Sequence, residues 1–404
     1  MDRLKYALIG CGRRGSQHLK TVMQMRDSFE LVAVCDADPE AAENAASIAG
    51  VKFYTDVREL VAHERLDFCD VVVPPELHHA ISCFLSSQGI HHNVETPLAP
   101  TLGLMKLMIE TARKHKVKLQ TSENFPFLPV EQFVCKLIQA GVIGPVHRCY
   151  RLFSTLGYHG LAAIRSRIGA RPIAVSSISH TMPVIPYVDR AGRNFSEEGL
   201  EFYAVDFENG SFAIAMVGNK NSCLGRNKIV GFEVCGERGT IVTNGNQGKV
   251  GGETVNVCTD EDITTRAAKA TTYEFKREYT EKKVLRRIWV DLPNSLGGSM
   301  EWVNPYQDIC LTEPQISIAI LLEGLRRAII EGSDPLWPGE EGYVDQEMII
   351  AAGRSIKNNR QPISLPLQVS QDEEEEFDGN FVNRFGVHPR EDLDKLLSIS
   401  FKAW

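Results

Sequence analysis

Three glycines near the start of the chain have the spacing of a phosphate-binding turn. Gly10, Gly12 and Gly15 follow the apolar run Leu4–Ile9 and precede a polar segment of helical character over residues 16–26. In a strand–turn–helix unit, the first glycine permits the tight turn, the second lets the backbone approach a pyrophosphate, and the third lets the helix pack on the strand. The bare N–H groups at the helix N-terminus then face the anion. An ordinary turn without a ligand is the alternative, because glycines also cluster there.

An acidic residue supports the first of these interpretations. The next strand-like run, Leu31–Cys35, ends at Asp36, which lies about 20 residues beyond the turn, where dinucleotide-binding units carry the acid that binds ribose. A carboxylate there accepts a hydrogen bond from the 2′-hydroxyl of NAD and repels the 2′-phosphate of NADP. The sequence therefore predicts a dinucleotide site that favours NAD. Arg13 and Arg14 keep NADP open, since an arginine beside the turn can pair with phosphate.

The elements that would position this site alternate regularly over residues 1–122. Short β-branched runs and helical segments follow one another, which predicts a parallel, doubly wound sheet. Ligands of such sheets bind at the carboxyl ends of the strands. These ends lie at or near Gly10, Asp36, Pro74, Glu95 and Asn124.

The rhythm of the sequence changes after this first part. Strand-like runs separated by turn residues, among them 208–210 and 236–239, predict an α+β domain with a mostly antiparallel sheet over residues 123–366. Within that domain, the polar, glycine-rich segment 245–272 is expected to be a surface excursion.

The end of the chain combines helical and acidic segments. Helices over residues 313–331 and 340–357 are predicted to cover one face of the antiparallel sheet. The acidic run Asp372–Glu376 is typical of a linker or a solvated edge. Residues 367–404 are therefore expected to form an acidic linker and a tail, whose apolar residues dock on this subunit or on a neighbour.

The composition restricts the partners. The 404 residues carry a formal net charge of −8, which argues against nucleic acid, because such binding neutralises phosphates with Lys and Arg. No apolar run is long enough to cross a bilayer and no apolar signal region precedes the first strand, so we expect no membrane partner and a cytoplasmic location. Ten cysteines without a Cys-x-x-Cys pair are typical of reduced, packed thiols and not of a zinc site. A metal site built from His78, His79, His91 and His92 is disfavoured, because adjacent strand residues point to opposite faces.

The order of these parts resembles the Gfo/Idh/MocA oxidoreductases over residues 3–366. The resemblance rests on the glycine turn, on strand ends of the first domain, and on turns and a late helix of the second: Gly10–Gly15, Val73–His78, Glu95–Ala99, Ile143–Val146, Glu233–Thr240 and Gly342–Ser355 with Asp345. It implies an N-terminal Rossmann domain and a C-terminal domain with an open, mostly antiparallel sheet. It also implies NAD(P)-dependent hydride transfer with a sugar, polyol or glycoside as the small-molecule substrate, and a homo-oligomer that is a dimer or a tetramer.

The glycine turn, the strand ends and the resemblance together indicate the cofactor contacts. The residues expected to make them are Gly10, Gly12, Arg13, Arg14, Gly15, Asp36, Pro74, His78, Glu95 and Asn124.

Two departures from the family pattern affect the chemistry. The Glu-Lys-Pro motif, whose lysine hydrogen-bonds the hydroxyl being oxidised, reads Glu95-Thr96-Pro97 here, and threonine supplies no ammonium. The Asp-x-x-x-His pair falls on Ser176 and His180, so its acid is missing. Since a positioned acid or base contributes ~10²–10⁴-fold to a rate, these departures imply different chemistry or none.

A second resemblance offers an alternative reaction. Residues 157–161, followed by 174–177, are similar to a stretch of the family's NAD-dependent α-N-acetylgalactosaminidase branch, which also lacks the lysine. Enzymes of that branch oxidise sugar C3 transiently, eliminate the aglycone, add water and return the hydride, outside the two-carboxylate scheme of ordinary glycosidases. A non-catalytic family member that holds NAD as a structural or sensing ligand is a third interpretation.

Four residues are candidates for the chemistry. His180, at a predicted strand end, and His159, in a loop-like segment, are candidate acid/base groups, because imidazole titrates near neutral pH. A packed polar histidine is the alternative at both positions. Tyr158 would line a sugar site or pack in the interior, and Thr96 would orient a substrate hydroxyl or fill space.

Overall fold

The chain folds into two compact units. A computed structural model describes residues 3–154, 157–188, 194–218, 231–244, 252–258, 263 and 269–399. The N-terminal unit takes in residues 1–124, 314–346 and 368–404, and the sheet unit takes in residues 125–313 and 347–367. This grouping differs from the linear succession of domains predicted from the sequence, because two late segments pack with the N-terminal unit.

Within the described residues, the elements follow in chain order. The strands are β1 (Leu4–Ile9), β2 (Phe29–Cys35), β3 (Lys52–Tyr54), β4 (Phe68–Val71), β5 (His91–Val94), β6 (Leu119–Thr121), β7 (Val146–Ser154), β8 (Pro172–Val188), β9 (Asn194–Phe207), β10 (Phe212–Gly218), β11 (Gly231–Gly236), β12 (Gly239–Thr243), β13 (Thr254–Val257), β14 (Thr271–Glu274), β15 (Lys276–Tyr279), β16 (Leu285–Asp291), β17 (Ser299–Val303) and β18 (Ile363–Ser364). The helices are α1 (Arg13–Val22), α2 (Pro39–Ala49), α3 (Val57–His63), α4 (Pro75–Ser87), α5 (Leu102–Lys114), α6 (Pro129–Gln139), α7 (Gly157–Ile168), α8 (Glu313–Glu331), α9 (Gly339–Lys357), α10 (Gln371–Phe385) and α11 (Leu393–Leu396).

The N-terminal unit is built on a parallel sheet. Its described strands follow the order β3-β2-β1-β4-β5-β6, and every neighbouring pair is parallel. This confirms the predicted doubly wound sheet. The strand order reverses between β1 and β4, and the crevice at such a switch point is where open α/β sheets bind ligands.

Short capping signals start the helices that leave this sheet. At the start of α2, Asp38 accepts a hydrogen bond from Glu40 N at 3.0 Å, and Pro39 occupies the first turn. Asp56 accepts from Arg58 N at 2.7 Å at the start of α3. These caps fix where each helix begins and therefore where the preceding strand end lies.

The acidic run Asp372–Glu376 is helical, so the prediction of a linker is wrong. The hydroxyl of Ser370 caps α10, and acidic side chains in a first turn are favoured by the helix dipole. Glu374 is buried and accepts hydrogen bonds from Thr101 Oγ1 at 2.6 Å and from Gly103 N at 2.9 Å. The run therefore anchors the tail to the N-terminal unit instead of spacing it away.

The sheet unit contains a long, mostly antiparallel sheet, as predicted. Its described strands follow the order β14-β13-β12-β11-β7-β10-β9-β8-β18, and only β7 and β10 form a parallel pair among them. A row of cross-strand partners, including Val175, Val205 and Ala213, is at most 1% exposed. On the opposite face, the aligned side chains of Ile178 and Phe202 are 38% and 37% exposed. The sheet therefore buries one face and leaves the other open.

Part of the predicted surface excursion belongs to this sheet. β13 lies within residues 245–272 and pairs with β12 and β14. Val255 and Val257 are 0% and 3% exposed, which is the two-residue alternation of a half-buried strand. The prediction is wrong for this strand, because its polar alternate residues resemble a loop.

Three further observations concern only the described part of the chain. None of its helices is long and apolar enough to cross a membrane. Its cysteines are unpaired thiols. Within these same ranges, no group of three or more His, Cys, Asp or Glu side chains is arranged to hold a metal ion.

Candidate dinucleotide site

The glycine turn is built from backbone contacts that leave no room for side chains. Gly10 follows β1 with a φ of +99°, and a Cβ at this position would lie 2.1 Å from Val72 O. A Cβ on Gly15 would lie 1.9 Å from Gly10 O. Both positions therefore require glycine, the first for its conformation and the second for the close packing of α1 on the turn.

Gly12 differs from the other two glycines because it borders open space. It is the N-cap of α1, and no atom lies within 4 Å of the position that its Cβ would take. The first-turn N–H groups of a helix have no intrahelical acceptor, and no side chain caps them here. A ten-residue helix with such an end attracts an anion through its N–H groups and its dipole.

Asp36 closes the turn from the end of β2. Its Oδ2 accepts a hydrogen bond from Cys11 N at 2.6 Å, and its Oδ1 accepts one from Asp38 N at 2.9 Å. The carboxylate is half-buried and lies on the wall of a cavity. In this place it can also accept hydrogen bonds from ribose hydroxyls.

The cavity beside the turn has a volume of about 340 Å³, within the usual range of small-molecule sites. Six of the residues predicted to contact a cofactor line it: Gly10, Gly12, Arg13, Arg14, Asp36 and Pro74. The remaining lining residues are mostly apolar. The bare helix end, the acid and the cavity fit a dinucleotide.

His78, a predicted cofactor contact, has a structural position instead. It is fully buried on α4 and does not line the cavity. Its Nε2 lies 2.9 Å from Val73 O, and its Nδ1 lies 3.0 Å from Pro97 O. Burial lowers the pKa of His78. The ring therefore joins the segments that follow β4 and β5.

Arg14 extends from the first turn of α1 to the ends of β5 and β6. Its Nε donates to Glu95 Oε1 at 2.6 Å, and its Nη2 donates to Asn124 Oδ1 at 3.3 Å. Asn124 in turn donates to Ser317 Oγ at 3.0 Å. Three predicted cofactor residues are thus joined by hydrogen bonds.

A buried histidine that the sequence patterns do not indicate, His18, lies behind Arg14. His18 is 0% exposed, with Nδ1 2.6 Å from Asp70 Oδ2 and Nε2 3.0 Å from Glu95 Oε1. Because ionised carboxylates only accept hydrogen bonds, both ring nitrogens donate. Burial alone would lower the pKa of His18, but Asp70 and Glu95 raise it to about 9. His18 is therefore an imidazolium between two carboxylates.

The two cations also act on the carboxylates. Burial alone would raise the pKa of Glu95, but Arg14 and His18 hold it well below its usual range. Asp70 accepts a further hydrogen bond from Tyr6 OH at 2.9 Å. The buried charge cluster (Arg14, His18, Asp70 and Glu95) thus contains two cations and two anions.

Thr96 hydrogen-bonds to the same carboxylate. Its N and its Oγ1 lie 2.9 Å and 3.2 Å from Glu95 Oε2. The hydroxyl proton of Thr96 is therefore directed to Glu95, and the residue is half-buried. It retains an acceptor oxygen but supplies no cation.

In the sheet unit, Tyr158 and His159 lie in the first turn of α7, which corrects the prediction of a loop-like segment. The ring of His159 stacks on Phe125, with a centroid distance of 4.2 Å and an interplanar angle of 4°. Tyr158 contacts His159 edge to face at 4.5 Å. Stacking of this kind fixes the plane of the imidazole ring.

His180 is not at a strand end, as predicted, but within β8, where it pairs with Leu200. It is exposed, and Ser176 lies four residues before it along the same strand. Since alternate residues of a strand share a face, both point to the open side of the sheet together with Ile178. The prediction failed because the strand continues eight residues beyond His180, to Val188.

Two family models match the chain. One is described as an oxidoreductase family with an NAD-binding Rossmann fold and covers residues 4–123. The other is the C-terminal alpha/beta domain of an oxidoreductase family and covers residues 152–365.

Individual relatives match over shorter stretches. D-apiose dehydrogenase of Paraburkholderia graminis is 32% identical over 36% of this chain and 38% of its own length. A glycosyl hydrolase family 109 protein of Shewanella pealeana is 26% identical over 36% of this chain and 34% of its own length. The crystal structure of an NAD binding oxidoreductase from Klebsiella pneumoniae superposes with a TM-score of 0.69 and 20% identity over 91% of this chain and 100% of that one, which supports the fold.

Proposed function

Because the chain belongs to the Gfo/Idh/MocA family of oxidoreductases, we propose that it is an NAD-dependent enzyme acting on a sugar, polyol or glycoside by hydride transfer. The observation that carries the proposal is the open glycine turn with Asp36 on the wall of a cavity of about 340 Å³. The N–H groups of the first turn of α1 would hold the pyrophosphate, and Asp36 would hold a ribose. Bound NAD would supply a hydride acceptor for a carbon that carries a hydroxyl group.

The nucleotide preference follows from the charges beside the turn. Asp36 would accept from a 2′-hydroxyl and repel a 2′-phosphate. Both arginines line the cavity, but Arg14 is engaged with Glu95 at 2.6 Å, so the exposed Arg13 is the one that would meet a 2′-phosphate. We therefore infer a preference for NAD over NADP.

Calorimetry of nucleotide binding tests this part of the proposal. Gly12→Ala places a methyl group in the open space and should weaken NAD binding by at least tenfold while leaving the fold intact, since its Cβ meets no protein atom. Gly353→Ala in α9, which also meets nothing within 4 Å, is the matched control and should bind as the wild type does. Asp36→Ala should reduce the difference in binding affinity between NAD and NADP. Equal binding by wild type and Gly12→Ala would contradict the site.

Among the proposed acid/base groups, His159 stands before His180. The stacked, half-buried ring of His159 resembles a positioned catalytic group, whereas His180 is exposed on the open face of the sheet. Tyr158 would line the substrate site beside His159, and Thr96, held by Glu95, would offer its oxygen to a substrate hydroxyl.

Paired variants separate the two histidines. His159→Ala should lower turnover by about a hundredfold or more, the lower end of the usual acid/base contribution, with NAD affinity unchanged. His180→Ala is the matched control and should retain turnover. The opposite result would transfer the role to His180. The assay is substrate-dependent NADH formation over a panel of aldoses, polyols and glycosides.

A second candidate function is redox-neutral cleavage of a glycoside. Thr96 in place of the family's lysine favours it, and so does the similarity to a glycosyl hydrolase family 109 protein. Aryl glycosides distinguish the reactions, because release of the aglycone without net NADH supports cleavage, and stoichiometric NADH excludes it for that substrate. Turnover abolished by His159→Ala would exclude a third candidate, a non-catalytic NAD-binding protein.

We also propose a cytoplasmic homo-oligomer. The unpaired thiols of the described cysteines support a reducing compartment, and cell fractionation tests it. The aligned, partly exposed Ile178, Phe202 and Ile214 on the open face support self-association through the sheet. Light scattering should give a dimer or a tetramer, and Phe202→Glu should shift it towards the monomer.

A further inference from the structure

The tail of the chain lines the same cavity as the glycine turn. Leu396, Leu397 and Ile399 lie on its wall, and Leu396 is 0% exposed. Their side chains therefore pack within the N-terminal unit, more than 380 residues after the turn that they help to enclose. The sequence patterns of nucleotide-binding units, which lie within the first strands and helices, do not include such a segment.

Arg58 fastens this segment from α3. Its Nη1 donates to Asp394 O at 3.2 Å, and its Nη2 donates to Ser398 Oγ at 2.8 Å. The guanidinium is itself held by Asp56, whose Oδ1 accepts from Nε at 2.9 Å. Asp56 raises the pKa of Arg58 through their hydrogen bond, and the arginine stays charged in any case.

Further contacts hold Pro389 and Arg390, which precede this segment. His79 Nε2 lies 2.6 Å from Pro389 O, so this nitrogen donates. Burial lowers the pKa of His79 to about 4, so the ring is neutral at pH 7. Arg390 pairs with Asp378 at 2.7 Å and with Glu374 of α10. Residues 389–399 are therefore attached at several points.

The position of Asp36 indicates which half of a dinucleotide lies beside the tail. In units of this type the acid at the end of β2 binds the ribose of the adenosine half. Beyond Asp36, the wall is mostly apolar and includes Val57, Leu77 and Ile81 in addition to the tail, with Asp38 and Thr55 as polar members. An apolar slot with one polar end suits a flat aromatic base attached to a ribose.

We propose that residues 393–399 form one wall of the adenine pocket and slow the release of the cofactor. This inference rests on the proposed function, because it concerns the same site. The apolar side chains of Leu396, Leu397 and Ile399 would contact the base, on a wall that they share with Leu77 and Ile81 of α4.

Calorimetry with ADP-ribose and NAD tests the inference in the full chain. The double variant Leu397→Ala/Ile399→Ala removes the three carbon atoms beyond Cβ from each side chain and should weaken the binding of both ligands by the same factor, about thirtyfold. Lys395→Ala is the matched control, because Lys395 lies in the same segment, is exposed and pairs only with Asp392 among the contacts of the described chain. Its affinities should equal those of the wild type.

Hydrogen exchange provides a second measurement that does not depend on affinity. Saturating ADP-ribose should slow the exchange of amides 396–399 in the wild type. Equal affinities for the double variant and the wild type, or exchange that ADP-ribose leaves unchanged, would overturn the role of the tail while the cofactor site stands. If the wild type binds neither ligand, the proposed function itself is overturned.

Discussion

The dinucleotide cavity is supported by charges on one side and by apolar side chains on the other. Behind the first turn of α1, His18 and Arg14 are compensated by Asp70 and Glu95, and His18 is completely buried. On the tail side, contact is made by leucine and isoleucine side chains. Both arrangements lie in one unit and adjoin one cavity.

This difference separates two kinds of rigidity. A buried charge is strongly destabilising if its partner is removed, so the charge cluster fixes Arg14 and Glu95 in one arrangement. Apolar contacts are non-directional and lose free energy in proportion to the area exposed. We therefore expect the loss of one member of the cluster to destabilise the whole unit. The tail, in contrast, should detach while the rest of the unit stays folded.

The largest expected effect is that of His18→Leu. The substitution keeps the volume but leaves Asp70 and Glu95 facing each other without the imidazolium, which should lower the free energy of unfolding by about 3–5 kcal/mol. Urea denaturation at neutral pH measures it. Lys20→Ala, at an exposed position of the same helix, should change it by less than about 0.5 kcal/mol. A loss below about 1 kcal/mol for His18→Leu would show that the cluster is not cooperative.

Alkaline pH should weaken the same cluster without a mutation. Since the pKa of His18 is raised to about 9 from an ordinary value near 6.5, its contribution is complete below pH 6.5 and is lost as the pH rises through 9. The total loss approaches about 3 kcal/mol. Denaturation midpoints measured from pH 6 to 9.5 should therefore fall in the wild type. A flat profile would mean that His18 is neutral in the folded protein.

The two sides of the cavity also differ in how far sequence could predict them. The glycine turn, Asp36 and the parallel sheet follow from spacing and periodicity within short stretches. His18 lies on α1, Asp70 in β4 and Glu95 directly after β5. The residues that flank each of them in the sequence do not indicate that the three form a cluster. The only local signal for His18 is its place one turn after Gly15, on the inner face of α1.

The tail and the second unit show the same limit. The acidic residues after Ser370 indicate a linker by their charge alone. Ser370, however, is the N-cap of α10 and starts a helix there. The glycines beside Tyr158 and His159 are typical of a loop, but the segment is helical because α7 packs against β7 and is stabilised by that contact. Tertiary packing determines the structure of both segments, and the spacing of residues along the chain does not indicate that packing.

Truncating the tail contact should have a smaller and more local effect than breaking the cluster. Leu396→Ala should cost about 2 kcal/mol, the lower end for a buried leucine, because a terminal segment collapses more easily than a core. The cost should be visible as faster hydrogen exchange of the amides of α11 with little change in global unfolding. Lys395→Ala should leave both unchanged. A cooperative loss of global stability would show that the tail is part of the core.

The smallest expected effect is a loss of stability at acidic pH, which distinguishes the tail side of the cavity from the charge cluster. Burial lowers the pKa of His79 to about 4, and the nearby Arg390 and His78 act in the same direction. Its contribution is present above pH 6.5 and is lost as the pH falls through 4, opposite in sign to that of His18. Between pH 7 and 5 the loss is roughly 1.8 kcal/mol. Because the charged ring is disfavoured at this buried position, protonation should favour opening of the contact with Pro389 and accelerate hydrogen exchange in the tail. His79→Gln retains a donor for the carbonyl of Pro389. It should remove the part of the stability loss between pH 7 and 5 that His79 causes, whereas the loss at alkaline pH that His18 causes should remain. His92, whose pKa burial also lowers to about 4, titrates in both proteins and cancels in the comparison. If the variant and the wild type lose stability equally between pH 7 and 5, the tail is not held by His79.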